Sequence, residues 1–223
     1  EKSGTGSIFV TTGSPLGLYS TKPINSLADL LKLKVRSIGS KARVLEELGV
    51  SVVGLPGGEI VPSLQKGVVD AADYDSPWTD QGMGFEDVTK YWYYSRVPRF
   101  GGHFVSINRD KWDELTPDLQ ELFKQVAYDT TLWAYMLDTV ESIRILDDLV
   151  KTKGVQPAFF PVEVDVAIME AQDRVNEKLS EDPEFKRVLD SWYAIEEQYH
   201  EYDVPVCWTR FAGHRELLQA LME

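Results

Sequence analysis

The sequence predicts an α/β fold: a parallel β-α-β-α-β unit with one very long helix beside it. Three observations carry that expectation. Residues 34–74 alternate between strand-like and helical runs, and each helical run is closed by a glycine, Gly49 and Gly67. Two helical crossovers between three strands make those strands parallel and the crossovers right-handed. From Leu119 to Val140 an apolar stripe repeats at helical spacing, and it runs on to Gly154. That is a helix of about 35 residues, or about 50 Å, long enough to span two lobes. With 223 residues, 43% hydrophobic and 26% charged, the chain has material for one large domain or two small lobes.

Taken in order, Ser7–Thr12 reads as a strand, and Gly13-Ser14-Pro15-Leu16-Gly17 as a breaker cluster. Ser26 caps a short helix carrying Leu27, Leu30 and Leu31. Lys34–Ile38 is a strand, Ser40 is expected to cap a helix ending at Leu48, and Ser51–Leu55 is the next strand. Glu59–Lys66 is a helix after the Pro56-Gly57-Gly58 loop, and Val68–Tyr74 is the third strand. The aromatic run Tyr91-Trp92-Tyr93-Tyr94 reads as packing, and His103–Asn108 as a strand. Thr116, Pro117 and Asp118 start the long helix. Val155–Phe160 is a strand, and Val164–Leu179, Asp182–His200 and His214–Met222 are helices.

Bulk properties exclude several classes. A net charge of −13 is wrong for a nucleic-acid partner, which needs a basic surface. No run has the length of a membrane-spanning helix. Cys207 is the single cysteine, which excludes an internal disulfide, and His103, His200 and His214 lack metal-type spacing. HExxH, P-loop, GxGxxG and GxSxG patterns are absent. No cofactor or metal site is therefore expected.

In a parallel sheet, ligands bind at the carboxyl ends of the strands. Those ends are Arg36-Ser37, Leu55-Pro56-Gly57-Gly58 and Asp73-Tyr74. An arginine there matches a carboxylate with two parallel hydrogen bonds. The alternative is a structural Arg36–Asp73 ion pair. Gly57-Gly58 fits turn chemistry better than a phosphate cradle. Asp73 and Asp75 share a strand face, so paired-carboxylate hydrolysis is the enzymatic alternative, although no nucleophile–base pair accompanies them.

The run "KPINSLADLLKLKVRSIGSKARVLEELGVSVVGLPGGEIVPSLQKGVVDAADYDSP" resembles the DctP-type solute-binding proteins of TRAP transporters, the tripartite ATP-independent periplasmic family. So does "INRDKWDELTPDLQELFKQVA". "LPGGE", "DAADY" and "KYWYY" are most similar to the 2-oxoacid and lactate-binding or mannitol/chloroaromatic branch. The resemblance implies a two-lobed, periplasmic-binding-protein-like α/β fold whose first lobe is partly missing from this amino-terminally incomplete chain. Residues 1–13 would be a crossover strand from the first lobe, 14–101 the second lobe, 102–153 a first-lobe strand and the long connecting helix, and 154–223 the C-terminal strand and helices.

By the same resemblance the protein is a periplasmic receptor, not an enzyme, that captures an organic acid anion and passes it to TRAP membrane subunits. The ligand-binding arginine falls on Arg36, and the acid and its successor on Asp73 and Tyr74. Tyr74 departs from the asparagine and tryptophan found there in the two branches. In the oxoacid branch the acid helps hold a bridging cation, with a glutamine near position 15 and a second acid near 99. Here these are Pro15 and Arg99. An arginine cannot ligate a cation, so the metal is expected to be lost and Arg99 to replace its charge. A homodimer through the C-terminal helices, or an interaction fragment, is the remaining alternative.

Overall fold

The computed structural model describes residues 5–12, 16–96 and 102–201. The elements run β1 (Thr5–Thr12), β2 (Gly17–Ser20), α1 (Leu27–Leu31), β3 (Lys34–Arg36), α2 (Gly39–Leu48), β4 (Ser51–Val53), α3 (Gly57–Gln65) and β5 (Ala71–Ala72). Then follow α4 (Pro77–Asp80), α5 (Phe85–Val88), β6 (Tyr91–Tyr94), β7 (Gly102–Asn108), α6 (Arg109–Asp113), α7 (Pro117–Lys153), β8 (Gln156–Phe159), α8 (Val162–Leu179) and α9 (Pro183–Glu201). The expected helix at 214–222 lies outside the described residues.

Six strands form one mixed sheet in the order β4-β3-β5-β2-β6-β8. The predicted parallel unit is there: β3 pairs in parallel with both β4 and β5, with Arg36 opposite Val53 on one side and Ala72 on the other. β2 is antiparallel to β5 and β6, and β8 is parallel to β6. A separate antiparallel pair, β1–β7, bulges between Phe9 and Thr11.

Successive residues of the central strands serve two cores. Leu18, Ala71 and Tyr93 join a cluster with Leu30, Val44, Leu45 and Ile168, from α1, α2 and α8. Tyr19, Ala72 and Trp92 join Ile60, Leu64 and Phe85 on the other face, with Leu146 and Leu149 of α7 packed against them. That period of two with both faces covered is why these strands carry few charges.

The elements differ from expectation in several places. α2 begins at Gly39, with Ile38 at the N-cap and no side-chain cap, so Ser40 lies in its first turn. Gly57 and Gly58 belong to the first turn of α3 rather than to a loop. The third strand shrinks to Ala71–Ala72 because the amides of Val68 and Val69 bond back to the Ser63 carbonyl and close α3. Tyr91–Tyr94 is a strand inside the sheet, with the Tyr93 hydroxyl accepting from the Ile24 amide at 2.8 Å. β2 was not expected, since four residues beside a breaker cluster give no readable period.

α7 runs 37 residues from the Thr116 N-cap to Gly154, whose φ of 68° stops it. Only Ala127 and Ile145 on it are buried, while Leu122, Trp133, Met136 and Val140 are more than half exposed. Besides the packing of Leu146 and Leu149, α7 is tied through α4 by polar contacts. Ser76 caps α4 in a capping box with Thr79 and donates its hydroxyl to Asp138 of α7. Ser142 donates to the same oxygen at 3.1 Å and accepts the Trp78 amide at 3.2 Å.

At the end of α4, Asp80 is 2% exposed and accepts from the Tyr19 hydroxyl and the Asp75 amide. Burial pushes its carboxyl up to about 7, against an ordinary 3.8. Between pH about 4 and 7 the folded chain therefore keeps a proton that the unfolded chain has released, and stability falls as pH rises through that window. Asp80→Asn removes the effect. Urea unfolding should show wild type losing on the order of 2–4 kcal/mol relative to Asp80→Asn between pH 4 and 8; a pH-independent difference would contradict the assignment.

Candidate functional site

Arg36 is the last residue of β3, at the edge where three parallel strands end. Its side chain is 3% exposed. It does not make its hydrogen bonds to a carboxylate. Nε and Nη2 donate to the Leu55 carbonyl at 3.0 and 2.8 Å, and Nη1 donates to the Asp73 carbonyl at 2.7 Å. One arginine thus ties the ends of β3, β4 and β5 together. The guanidinium has five N–H groups, so one N–H on each terminal nitrogen is left over.

The Asp73 carboxylate lies 3.9 Å from Nη1, an ion pair beyond hydrogen-bond range. Its nearer cation is Lys41, whose Nζ is 3.5 Å from Oδ2. Burial pushes the Asp73 carboxyl above the usual range, and the Lys41 ammonium and then Arg36 oppose that. The expected ion pair with Asp73 is present, at the edge where the three parallel strands end. Asp73 Oδ1 and the Ser37 hydroxyl are both buried, and the hydroxyl lies close enough to the carboxylate to help hold it charged.

Helix ends add to this. α2 and α3 both start at this edge, both without a side-chain cap hydrogen bond. Free amide N–H groups and the positive dipole end favour an anion there. Tyr74 is 40% exposed, with its ring 5.7 Å from the Arg36 guanidinium carbon. A Cβ at Gly57 would come within 3.3 Å of that ring, so the glycine lets Tyr74 lie against the start of α3.

Arg36, Asp73 and Tyr74 are brought together as the sequence predicts. Arg99 and Pro15 lie outside the described residues. Sequence reasoning missed Lys41. The available signal was a lysine in the first turn of a helix, where the dipole disfavours a cation, five residues after Arg36. Among the described residues no group of three or more His, Cys, Asp and Glu is placed to hold a metal ion.

A second arginine closes a structural site. Arg96 Nη1 donates to Asp165 at 2.8 Å and to the Phe160 carbonyl at 2.7 Å, and its guanidinium carbon lies 4.4 Å from the centre of the Phe159 ring. Asp165 also accepts from Ser95, which locks α8 to the end of β6.

Residues 8–182 match the family model for bacterial extracellular solute-binding proteins, family 7. The chain belongs to that family. It is 31% identical over 194 residues to a monocarboxylate 2-oxoacid-binding periplasmic protein from Nostoc sp., a match covering 84% of this chain and 52% of that protein. A TRAP transporter solute-binding protein from Bordetella bronchiseptica, solved with calcium and picolinate, superposes with a TM-score of 0.80 at 27% identity, covering 100% of this chain and 66% of that one. Another from Pseudoalteromonas atlantica, solved with sodium and pyruvate, gives 0.77 at 29% identity, covering 97% and 65%. The family 7 chain therefore has the mixed α/β fold of the two-lobed TRAP solute-binding proteins. It spans about half the length of the curated relative it matches.

Removing the Arg36 guanidinium orphans two buried carbonyls and leaves Asp73 with one cation fewer. Arg36→Ala should therefore lower folding stability by about 2–5 kcal/mol in chemical denaturation, not merely abolish binding. Unchanged stability would mean the three strand ends do not depend on it.

Proposed function

We propose that this chain forms the ligand-gripping part of a periplasmic, non-enzymatic receptor that captures a small organic acid and delivers it to a TRAP membrane transporter. The observation that carries the reading is the excess of donors at one sheet edge. Arg36 keeps two N–H groups after bonding both carbonyls, Lys41 stands beside it, and the starts of α2 and α3 converge there. One buried carboxylate, Asp73, faces two cations, which leaves one unit of positive charge for an incoming anion. A carboxylate entering such a site exchanges its water for charge-assisted hydrogen bonds.

The proposed ligand set is Arg36, Asp73, Tyr74 and Arg99, with Arg99 standing where the family has an acid and entering as a replacement cation. Monocarboxylates are the favoured class, because the relatives in hand are described with 2-oxoacids, pyruvate and picolinate. In the same reading, residues 14–101 make the second lobe and β1 with β7 belongs to the first, which the two separate sheets support. β8 then returns to the second lobe's sheet. Hydrolysis at Asp73 and Asp75 is set aside, since the family consists of binding proteins. Association of two copies through the C-terminal helices is supported by exposed Val188, Trp192 and Tyr193 on α9.

Pyruvate and its neutral amide, pyruvamide, differ only in the charged group. Calorimetry on the full-length protein should show saturable binding of pyruvate or picolinate and none of pyruvamide. Equal affinity for acid and amide, or no carboxylate bound from a broad panel, would overturn the proposal.

A further inference from the structure

We infer that Lys41 supplies, from within the fold, the positive charge that a metal ion would bring, so that the site grips its carboxylate without calcium or sodium. This rests on the carboxylate-receptor reading above and deepens it.

The relatives from Bordetella bronchiseptica and Pseudoalteromonas atlantica hold calcium or sodium together with their acids. Among the described residues the donor set does not suit such an ion. Asp73 is the buried carboxylate of the cluster, and two cations already stand beside it: Lys41 Nζ lies 3.5 Å from Oδ2, and Arg36 Nη1 lies 3.9 Å from Oδ1, close enough to repel an added cation though not to hydrogen-bond. Neither cation is free to leave. Arg36 is fixed by three hydrogen bonds to strand-end carbonyls. The Lys41 side chain is 13% exposed, so its ammonium is largely held inside. A divalent ion bound to Asp73 would sit within a few ångströms of two positive groups, with repulsion that a low-dielectric site strengthens.

The position of Lys41 adds a second argument. It stands in the first turn of α2, a turn with no acidic residue and no side-chain cap. A lysine at a helix start opposes the macrodipole. It is stabilised there by Asp73 and by whatever anion enters the edge. With both cations and Asp73 charged, the cluster carries a single net positive charge, and a monocarboxylate neutralises it. A calcium ion would raise it instead.

The test uses full-length protein stripped with EDTA, with pyruvate titrated calorimetrically in EDTA and again with added calcium. Wild type should bind with the same affinity in both buffers. Lys41→Met should lose affinity by about ten-fold or more in EDTA, since it removes a charge-assisted contact. Lys41→Arg should keep most of it. Thermal unfolding of each variant confirms folding. Wild-type binding that disappears in EDTA and returns with calcium would overturn the inference while leaving the receptor reading intact. Lys41→Met binding as tightly as wild type in EDTA would overturn it too. No pyruvate or picolinate binding in either buffer would instead overturn the receptor reading itself.

Discussion

The structure depends on a single buried guanidinium that holds three strand ends by their backbone carbonyls. Arg36 reaches from β3 to the Leu55 carbonyl beyond β4 and to the Asp73 carbonyl beyond β5. Such short strands have few ladder bonds of their own: three residues in β3 and β4, two in β5. The side chain extends the sheet past the point where backbone pairing stops. It also fixes where the remaining donors lie, because a planar fork held at three atoms has little freedom left. A recognition group held this way is pre-organised, and pre-organisation lowers the cost of binding.

The same edge connects to the long helix. Tyr74 and Asp75 lead directly into Ser76, and Ser76 caps α4 while bonding Asp138 of α7. Ser142 and the Trp78 amide complete the tie. A change at Asp73 and Tyr74 therefore has a short polar path to a 37-residue helix that also lies against β1. Hydroxyl, carboxylate and amide groups make this joint, beside the packing of Leu146 and Leu149 against the second core.

Much of this was legible in the residues. Gly49 and Gly154 marked helix ends because the left-handed cap they adopt is a backbone requirement, and the apolar period of α7 gave its length to within two residues. The parallel arrangement of β3, β4 and β5 followed from the crossovers, and with it the meeting of Arg36, Asp73 and Tyr74 at one edge. What Arg36 bonds was not legible, since backbone carbonyls carry no sequence signature. The start of α2 was misplaced because Ser40 is a good cap by type, yet the helix begins two residues earlier, with Ile38 at the cap and Gly39 first. The limits of β5 were hidden because the closure of α3 takes the amides of Val68 and Val69. Lys41 went unread because a lysine near a helix start usually faces solvent, and only the fold places it against Asp73.

The central claim is that Arg36 holds the strand ends and the ligand at the same time. A crystal structure of the full-length protein with pyruvate measures this directly. The account predicts a ligand carboxylate oxygen within about 3 Å of an Arg36 terminal nitrogen, with the bonds to the Leu55 and Asp73 carbonyls retained. A carboxylate bound away from Arg36, or a guanidinium swung off both carbonyls to reach it, would contradict the account.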